Sequence, residues 1–172
     1  MEFPDDVLAR ARPVQLVSFD VDGVLTDGRI YYSANGDEIK AFHVQDGSAI
    51  KLLAEHDVRT AIITGRSSTA VARRATELGV EHVFQGVVDK AATLHRLIDS
   101  LSLDGAAVAH VGDDLPDLAA FAMVGLAIGV ANGHPSALAH THYVTGLRGG
   151  HGVAREVCEL LLRARGRWPY DP

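Results

Sequence analysis

The chain has 172 residues, 47% hydrophobic and 22% charged, a balance that suits one globular domain with a sizeable core. A formal charge of −6 without any Lys/Arg block argues against a nucleic-acid backbone as the main partner. One cysteine, Cys158, excludes an intrachain disulfide, and it sits in an amphipathic stretch where it packs as a small apolar residue. The opening Met-Glu-Phe-Pro-Asp-Asp lacks the basic start and apolar run of a secretion signal, and no later stretch is apolar for long enough to span a bilayer, so the expected location is cytoplasmic.

Along the chain, short β-branched runs alternate with helical patterns, which predicts parallel strands joined by crossover helices. The first strand covers 14–19. An insertion follows over 28–44, where two strand-like runs flank Ala34-Asn35-Gly36-Asp37 and Asn-Gly signals a β-hairpin. A helix over 47–56 and a strand over 59–63 come next. The strand stops at Thr64-Gly65-Arg66, and a helix begins that Ser67 or Ser68 can cap and Gly79 can end. Residues 83–84 form a short strand, and Asp89 caps a helix running to about 102. Strand 107–111 ends in Gly112-Asp113-Asp114-Leu115-Pro116-Asp117, which opens a short helix. Strand 126–130, an edge over 143–145 and a glycine-rich tail with a helix (146–172; the helix spans about 153–164) complete the chain. The expected fold is α/β, a doubly wound, mainly parallel Rossmann-like sheet in a single domain over 1–172. The intervals 27–64 and 90–113 leave no room for a separate cap domain.

The polar motifs fall at the strand ends. Asp20 and Asp22 lie two apart, so along a strand they project to the same face, and Gly23 lets the backbone turn beside them. Two close carboxylates repel, and a bound cation is the usual remedy. Thr64 and the Asp113/Asp114 pair also sit just past predicted strands, where an open parallel sheet places its ligand crevice. Three motifs therefore converge on one site.

In this order, Asp20-x-Asp22-Gly-Val-Leu-Thr, Thr64-Gly65-Arg66, Lys90 at a helix start and Gly112-Asp113-Asp114-x-x-Asp117 resemble the haloacid dehalogenase superfamily of phosphotransferases over almost the whole chain. The resemblance implies that Asp20 takes the phosphoryl group as an aspartyl phosphate and that Asp22 is the general acid and base. It also implies that Thr64 and Lys90 hold phosphoryl oxygens. Mg²⁺ would be held by Asp20, the carbonyl of Asp22, and Asp113, with Asp114 and Asp117 behind these ligands.

A closer similarity rests on Asp27-Gly-x-Ile-Tyr, Asn35-Gly-x-Glu-x-Lys-Ala-Phe-His-Val44, Asp46-Gly47, Ile62-Ile-Thr-Gly-Arg66 and Gly149-Gly-His-Gly-Val-Ala-Arg155-Glu. These look like the capless 3-deoxy-D-manno-octulosonate 8-phosphate phosphatases, which make free octulosonate for bacterial lipopolysaccharide. The family implies a homotetramer with neighbouring hairpins packed together, and two apolar hairpin strands suit association through Ile30, Tyr32, Ile39 and Phe42. It places Arg66 at the sugar carboxylate and Gln45, Asp46 and Gly47 at the substrate. The glycine-rich stretch at 149–152 is expected to be flexible and to fold over a neighbouring site, so deletion from Gly149 should weaken turnover more than folding; the alternative is a turn leading to a packing helix, since the last helix has an apolar face of its own.

Many relatives carry Arg where Gln45 stands, and a Gly where Ala49 stands. A nonulosonate (sialic-type acid) 9-phosphate substrate is therefore the alternative. A receiver-like signalling module is a reading of another class, but the strand ending at Phe84-Gln85-Gly86 lacks the acid such a module phosphorylates. A non-catalytic partner is disfavoured because every matched catalytic position is intact. His140-Thr-His142 is rejected as a metal site, since no Cys or further His motif completes a tetrahedral set.

Overall fold

The computed structural model describes residues 1–170. In chain order its strands are β1 (Leu16–Phe19), β2 (Tyr31–Tyr32), β3 (Glu38–Ile39), β4 (Arg59–Ile63), β5 (His82–Phe84), β6 (Val108–Gly112), β7 (Leu126–Gly129) and β8 (Tyr143–Val144). Six of them form one parallel sheet in the order β5-β4-β1-β6-β7-β8, while β2 and β3 pair as a separate antiparallel hairpin. The chain winds from β1 to one side through β4 and β5, then returns to lay β6 on the other side of β1. In such a sheet the ligand crevice opens outside the carboxyl ends at this reversal, between β1 and β6.

The helices are α1 (Asp5–Ala11), α2 (Val44–Glu55), α3 (Thr69–Leu78), α4 (Lys90–Ser100), α5 (Leu118–Phe121), α6 (Pro135–Leu138) and α7 (Val153–Ala164). Strand residues alternate between two cores because successive side chains point to opposite faces. Val17, Phe19, Ile62 and Val111 pack with α1, α2, α3 and α7, whereas Leu16, Ile63 and Val108 pack with α4 and α5. Among the described residues no helix is long and apolar enough to cross a membrane.

The predicted caps form. Ser68 Oγ accepts from Ala70 N at 3.3 Å, Gly79 closes α3 at φ +71°, and Asp89 Oδ1 accepts from Ala92 N at 2.9 Å. Helix α2 begins three residues earlier than expected, at Val44, with no side-chain cap. The hairpin strands are only two residues long, and the expected Asn-Gly turn joins them: Gly36 N donates to Ser33 O at 3.0 Å with Gly36 at φ +85°, Ser33 N donates to Asp37 O at 2.9 Å, and Ser33 Oγ accepts from Asn35 N and Asp37 N. Helices α1 and α6 carry no strong periodic signal, being seven and four residues long. Packing makes α1: it buries Val7 and Ala11 against α7 and the sheet.

The tail is corrected by the structure. Helix α7 buries Val153, Ala154, Val157, Cys158, Leu160, Leu161 and Leu162 in the larger core, and each large apolar side chain buried there contributes about 1.5–3 kcal/mol. Deleting the chain from Gly149 would therefore remove a core layer, not a lid. The glycines before it are fastened as well: Gly150 N donates to Val24 O at 2.9 Å and Gly149 N to Asn132 Oδ1 at 2.9 Å.

Candidate active site

Beyond β1 the backbone makes a single wide turn over Val21–Leu25. It is closed by Thr26 N donating to Val21 O at 3.0 Å, with Gly23 at φ +92°. The turn leaves Asp20 at its mouth, where Oδ1 accepts from Val21 N at 2.6 Å. Gly23 is obligatory for a second reason: a Cβ there would overlap the Asp113 carboxylate.

Asp20 is almost fully buried, and Lys90 Nζ lies 2.8 Å from its Oδ2. Burial pushes the Asp20 carboxyl up; the Lys90 charge opposes this and the Asp117 charge adds to it. Lys90 opens α4 directly after the Asp89 cap, which aims it across the end of the sheet. Its other contact is Asp117 Oδ1, at 2.7 Å. Burial works against the ammonium, but the Asp20 and Asp117 charges outweigh it and hold the Lys90 pKa above its ordinary value.

Asp20, Asp113 and Asp117 bring carboxylate oxygens within 4.8 Å of one another. Asp117 already has its lone pairs occupied: Oδ1 accepts from Lys90 and faces His110 Nε2 at 3.0 Å, and Oδ2 accepts from Asp113 N at 3.1 Å and Asp114 N at 3.3 Å. Burial raises its pKa, but the His110 and Lys90 contacts overcome that and hold the carboxyl well below the usual range. Asp117 is thus a bracket, and Asp20 and Asp113 are the pair left to face a cation. Burial first, then the charges of Asp20 and Asp117, push Asp113 up to about 7. An all-oxygen donor pair this short of positive charge fits a hard divalent ion. Asp114 is exposed and donates its backbone N–H to Asp117.

Asp22 points to the hairpin side. Its Oδ1 is in direct contact with Lys40 Nζ, and its Oδ2 is 4.0 Å from Arg66 Nε. Lys40, whose side chain is only 2% exposed, also reaches Glu38 Oε1 at 3.1 Å, and Arg66 Nη2 reaches Glu38 Oε2 at 2.5 Å. Those hydrogen bonds to Arg66 and Lys40 hold the Glu38 carboxyl below its ordinary range. Thr64 lies buried at the end of β4, where its N donates to Phe84 O at the end of β5 and its carbonyl accepts from Val87 N in the loop that follows.

The remaining residues expected at the substrate are placed differently. Asp46 is buried, and its Oδ1 accepts from Arg155 N at 3.0 Å in the first turn of α7, so it caps that helix instead of facing the crevice. Gly47 lies against the Arg74 guanidinium and Leu78 of α3, where a Cβ would not fit. Gln45 is exposed beside Gly152. Gly149 and Gly150 press on the backbone of this chain's own turn, at Gly23, Thr26 and Asp27, and so form the back wall of its own site.

A sequence profile for haloacid dehalogenase-like hydrolases matches residues 80–157. The 3-deoxy-D-manno-octulosonate 8-phosphate phosphatase of Yersinia pestis is 45% identical over 163 residues, covering 95% of this chain and 87% of the relative. The chain belongs to that phosphatase family. Among solved structures, the family member from Moraxella catarrhalis, in complex with magnesium ion, phosphate ion and a KDO molecule, is 44% identical with a TM-score of 0.93, covering 95% of this chain and 94% of that one. The cobalt-bound member from Haemophilus influenzae is 37% identical with a TM-score of 0.88 and covers 91% and 92%. The structure also gives close partners to polar residues for which the sequence suggested no role. Lys40 and Glu38 are two apart on one hairpin face, a weak signal. His110 is a polar residue inside an otherwise apolar run, which is a readable sign of a buried partner; Glu156, buried beside Tyr143, follows Arg155 and carries no such signal.

Proposed function

We propose that this phosphatase hydrolyses 3-deoxy-D-manno-octulosonate 8-phosphate to free octulosonate and phosphate, with Mg²⁺, through an aspartyl phosphate on Asp20. The observation that carries the reading is the seat of Asp20 at the sheet's reversal point, between the Lys90 ammonium at 2.8 Å and the Asp113 carboxylate. The Moraxella relative, solved with magnesium, phosphate and KDO, supports the choice of metal and sugar.

In the first step Asp20 attacks phosphorus, the bond to the sugar oxygen breaks, and Asp22 gives that oxygen its proton. In the second, Asp22 takes a proton from water as the water oxygen attacks phosphorus and releases Asp20. Lys90 and the Thr64 hydroxyl hold the phosphoryl oxygens through both steps. Mg²⁺ held by Asp20, Asp113 and the Asp22 carbonyl would neutralise charge on the transferring group. Lys40 keeps the Asp22 carboxylate aimed from the hairpin side, and Arg66, free to exchange Glu38 for a ligand, offers a guanidinium to the sugar carboxylate.

The same reading includes a homotetramer. Ile30, Tyr32 and Ile39 are 48%, 65% and 52% exposed on the hairpin, an apolar surface that a second copy would cover. Phe42 turns inward onto the core and leaves that set. Light scattering on the purified chain tests it, and a clean monomer at assay concentration removes the intersubunit role. Phosphate release from a panel containing octulosonate 8-phosphate and nonulosonate 9-phosphates, with Mg²⁺ or with EDTA, tests the activity. Preference for the eight-carbon substrate with loss in EDTA is expected; preference for a nine-carbon acid overturns the substrate assignment.

A further inference from the structure

His110 is fully buried in the middle of β6, the central strand beside β1. An imidazole there loses its hydration, so both nitrogens need partners. Both have one. Nδ1 lies 2.8 Å from Ser18 Oγ, and Nε2 lies 3.0 Å from Asp117 Oδ1. Ser18 is the residue directly opposite His110 in the β1–β6 register, and it shares its face of β1 with Asp20, two residues on. The side chains therefore close a ring: Ser18 from β1, His110 from β6, Asp117 from the turn after β6, Lys90 from α4, and Asp20 back at the end of β1. Phe121 of α5 packs its ring against the imidazole, with centroids 5.5 Å apart, and limits its rotation.

We infer that His110 is a positioning residue for the phosphoryl-transfer site: it donates Nε2–H to Asp117 and so fixes the carboxylate that aims Lys90 at Asp20. This rests on the reading of Asp20 and Lys90 given above. An ionised carboxylate only accepts, so the proton of the 3.0 Å contact belongs to Nε2. Asp117 Oδ1 then has two fixed donors, Lys90 and His110, and Oδ2 has the two backbone donors of Asp113 and Asp114. With all four present the carboxylate has one orientation. Without His110, Oδ1 keeps only the ammonium, and the buried carboxylate can rotate or draw Lys90 away from Asp20. The loss falls on the chemical step, because a misplaced charge stabilises the transition state poorly. Substrate capture by the exposed Arg66 is untouched.

The test compares His110→Phe, which keeps the ring volume but has no donor, with His110→Gln, whose amide N–H can replace Nε2–H. Wild-type turnover with Mg²⁺ is measured first, and its absence condemns the functional reading alone. Given an active wild type, His110→Phe is expected to lose about tenfold or more in kcat with KM within about twofold, and His110→Gln to recover most of it. A folded Phe variant with wild-type kcat overturns the inference, as does a folded Gln variant impaired as much as Phe. A readout independent of activity is the ¹⁵N-histidine spectrum: the resonances lost in His110→Gln belong to a ring protonated at Nε2. A ring carrying its proton on Nδ1 alone overturns the assignment even if the Phe variant fails to fold.

Discussion

Lys90 Nζ stands 2.8 Å from Asp20 Oδ2, with Asp117 holding the same ammonium from behind at 2.7 Å. One buried cation is thus shared between a carboxylate in position to react and a carboxylate locked in place by four donors. The arrangement keeps Lys90 charged and immobile without neutralising the Asp20–Asp113 pair, which is left to a metal.

Replacing Lys90 with Met should therefore cost activity out of proportion to structure. Loss of one preorganised charge at the transferring group lowers kcat by about 10²–10³. The same change leaves three close acids, the buried Asp20 and Asp117 and the half-buried Asp113, without the lysine ammonium, so the melting temperature in EDTA falls, more at alkaline than at mildly acid pH where carboxylates can protonate. A Lys90→Met enzyme with kcat near wild type would remove Lys90 from the mechanism.

Asp20 and Asp22 should fail differently. An aryl phosphate has a leaving group that needs no proton, so Asp22→Asn is expected to give a burst of about one phenolate per site and then stall, because water is not deprotonated. Steady-state turnover of a sugar phosphate should drop by on the order of 10²–10⁴. Asp20→Asn should give no burst at all. Rapid-quench measurement separates the two, and a burst from Asp20→Asn contradicts the nucleophile assignment. Both variants should fold, since Asn at position 22 can still accept from Lys40.

The clustering of the residues proposed for catalysis was legible in the sequence because they ride on strand ends, and strand ends are marked by where apolar runs stop: Asp20 after β1, Thr64 after β4, Asp113 after β6. Capped helices such as α3 and α4 were legible for a similar reason, as Ser68, Gly79 and Asp89 punctuate them locally. Contacts set by tertiary packing were not. Asp46 lies in a motif shared with the family, yet its role is to cap a helix more than a hundred residues away. Lys40 meets Asp22 only because the hairpin folds back over its own chain, and the wide turn at 21–25 reads in sequence as an ordinary tight one. Nothing local encodes those distances.

Asp113 gives the metal-free protein a defined pH dependence. Its carboxyl is pushed up to about 7 from an ordinary 3.8, so between those values the folded state holds a proton that the unfolded chain has released. Metal-free stability from this group is then greatest in the acid part of the window and declines as pH rises to about 7. Metal must displace the same proton, so apparent Mg²⁺ affinity should fall about tenfold per pH unit below 7 and level off above it. Melting curves in EDTA and calorimetric Mg²⁺ titrations across this range check both signs. Asp113→Asn should flatten the stability profile and abolish binding; a pH-independent Mg²⁺ affinity contradicts the picture.

Gly149 ties the end of the chain to the site. A Cβ at this position would overlap the carbonyl oxygen of Gly23 and crowd that of Thr26, both of them backbone atoms that no rotamer change can move. Gly149→Ala must therefore either lift the 146–152 segment from the turn or push the turn itself, and Gly23 in that turn is what lets the Asp113 carboxylate approach. Overpacking of this kind costs about 1–3 kcal/mol, and here the displacement is transmitted to a metal ligand, so Mg²⁺ affinity should weaken along with stability. Gly36→Ala is the control: it too has positive φ, at +85°, but nothing lies within 4 Å of its Cβ position. It should lower stability modestly and leave Mg²⁺ affinity and kcat unchanged. If Gly149→Ala binds Mg²⁺ as tightly as the wild type while melting at a lower temperature, the glycine contact supports the fold without shaping the metal site.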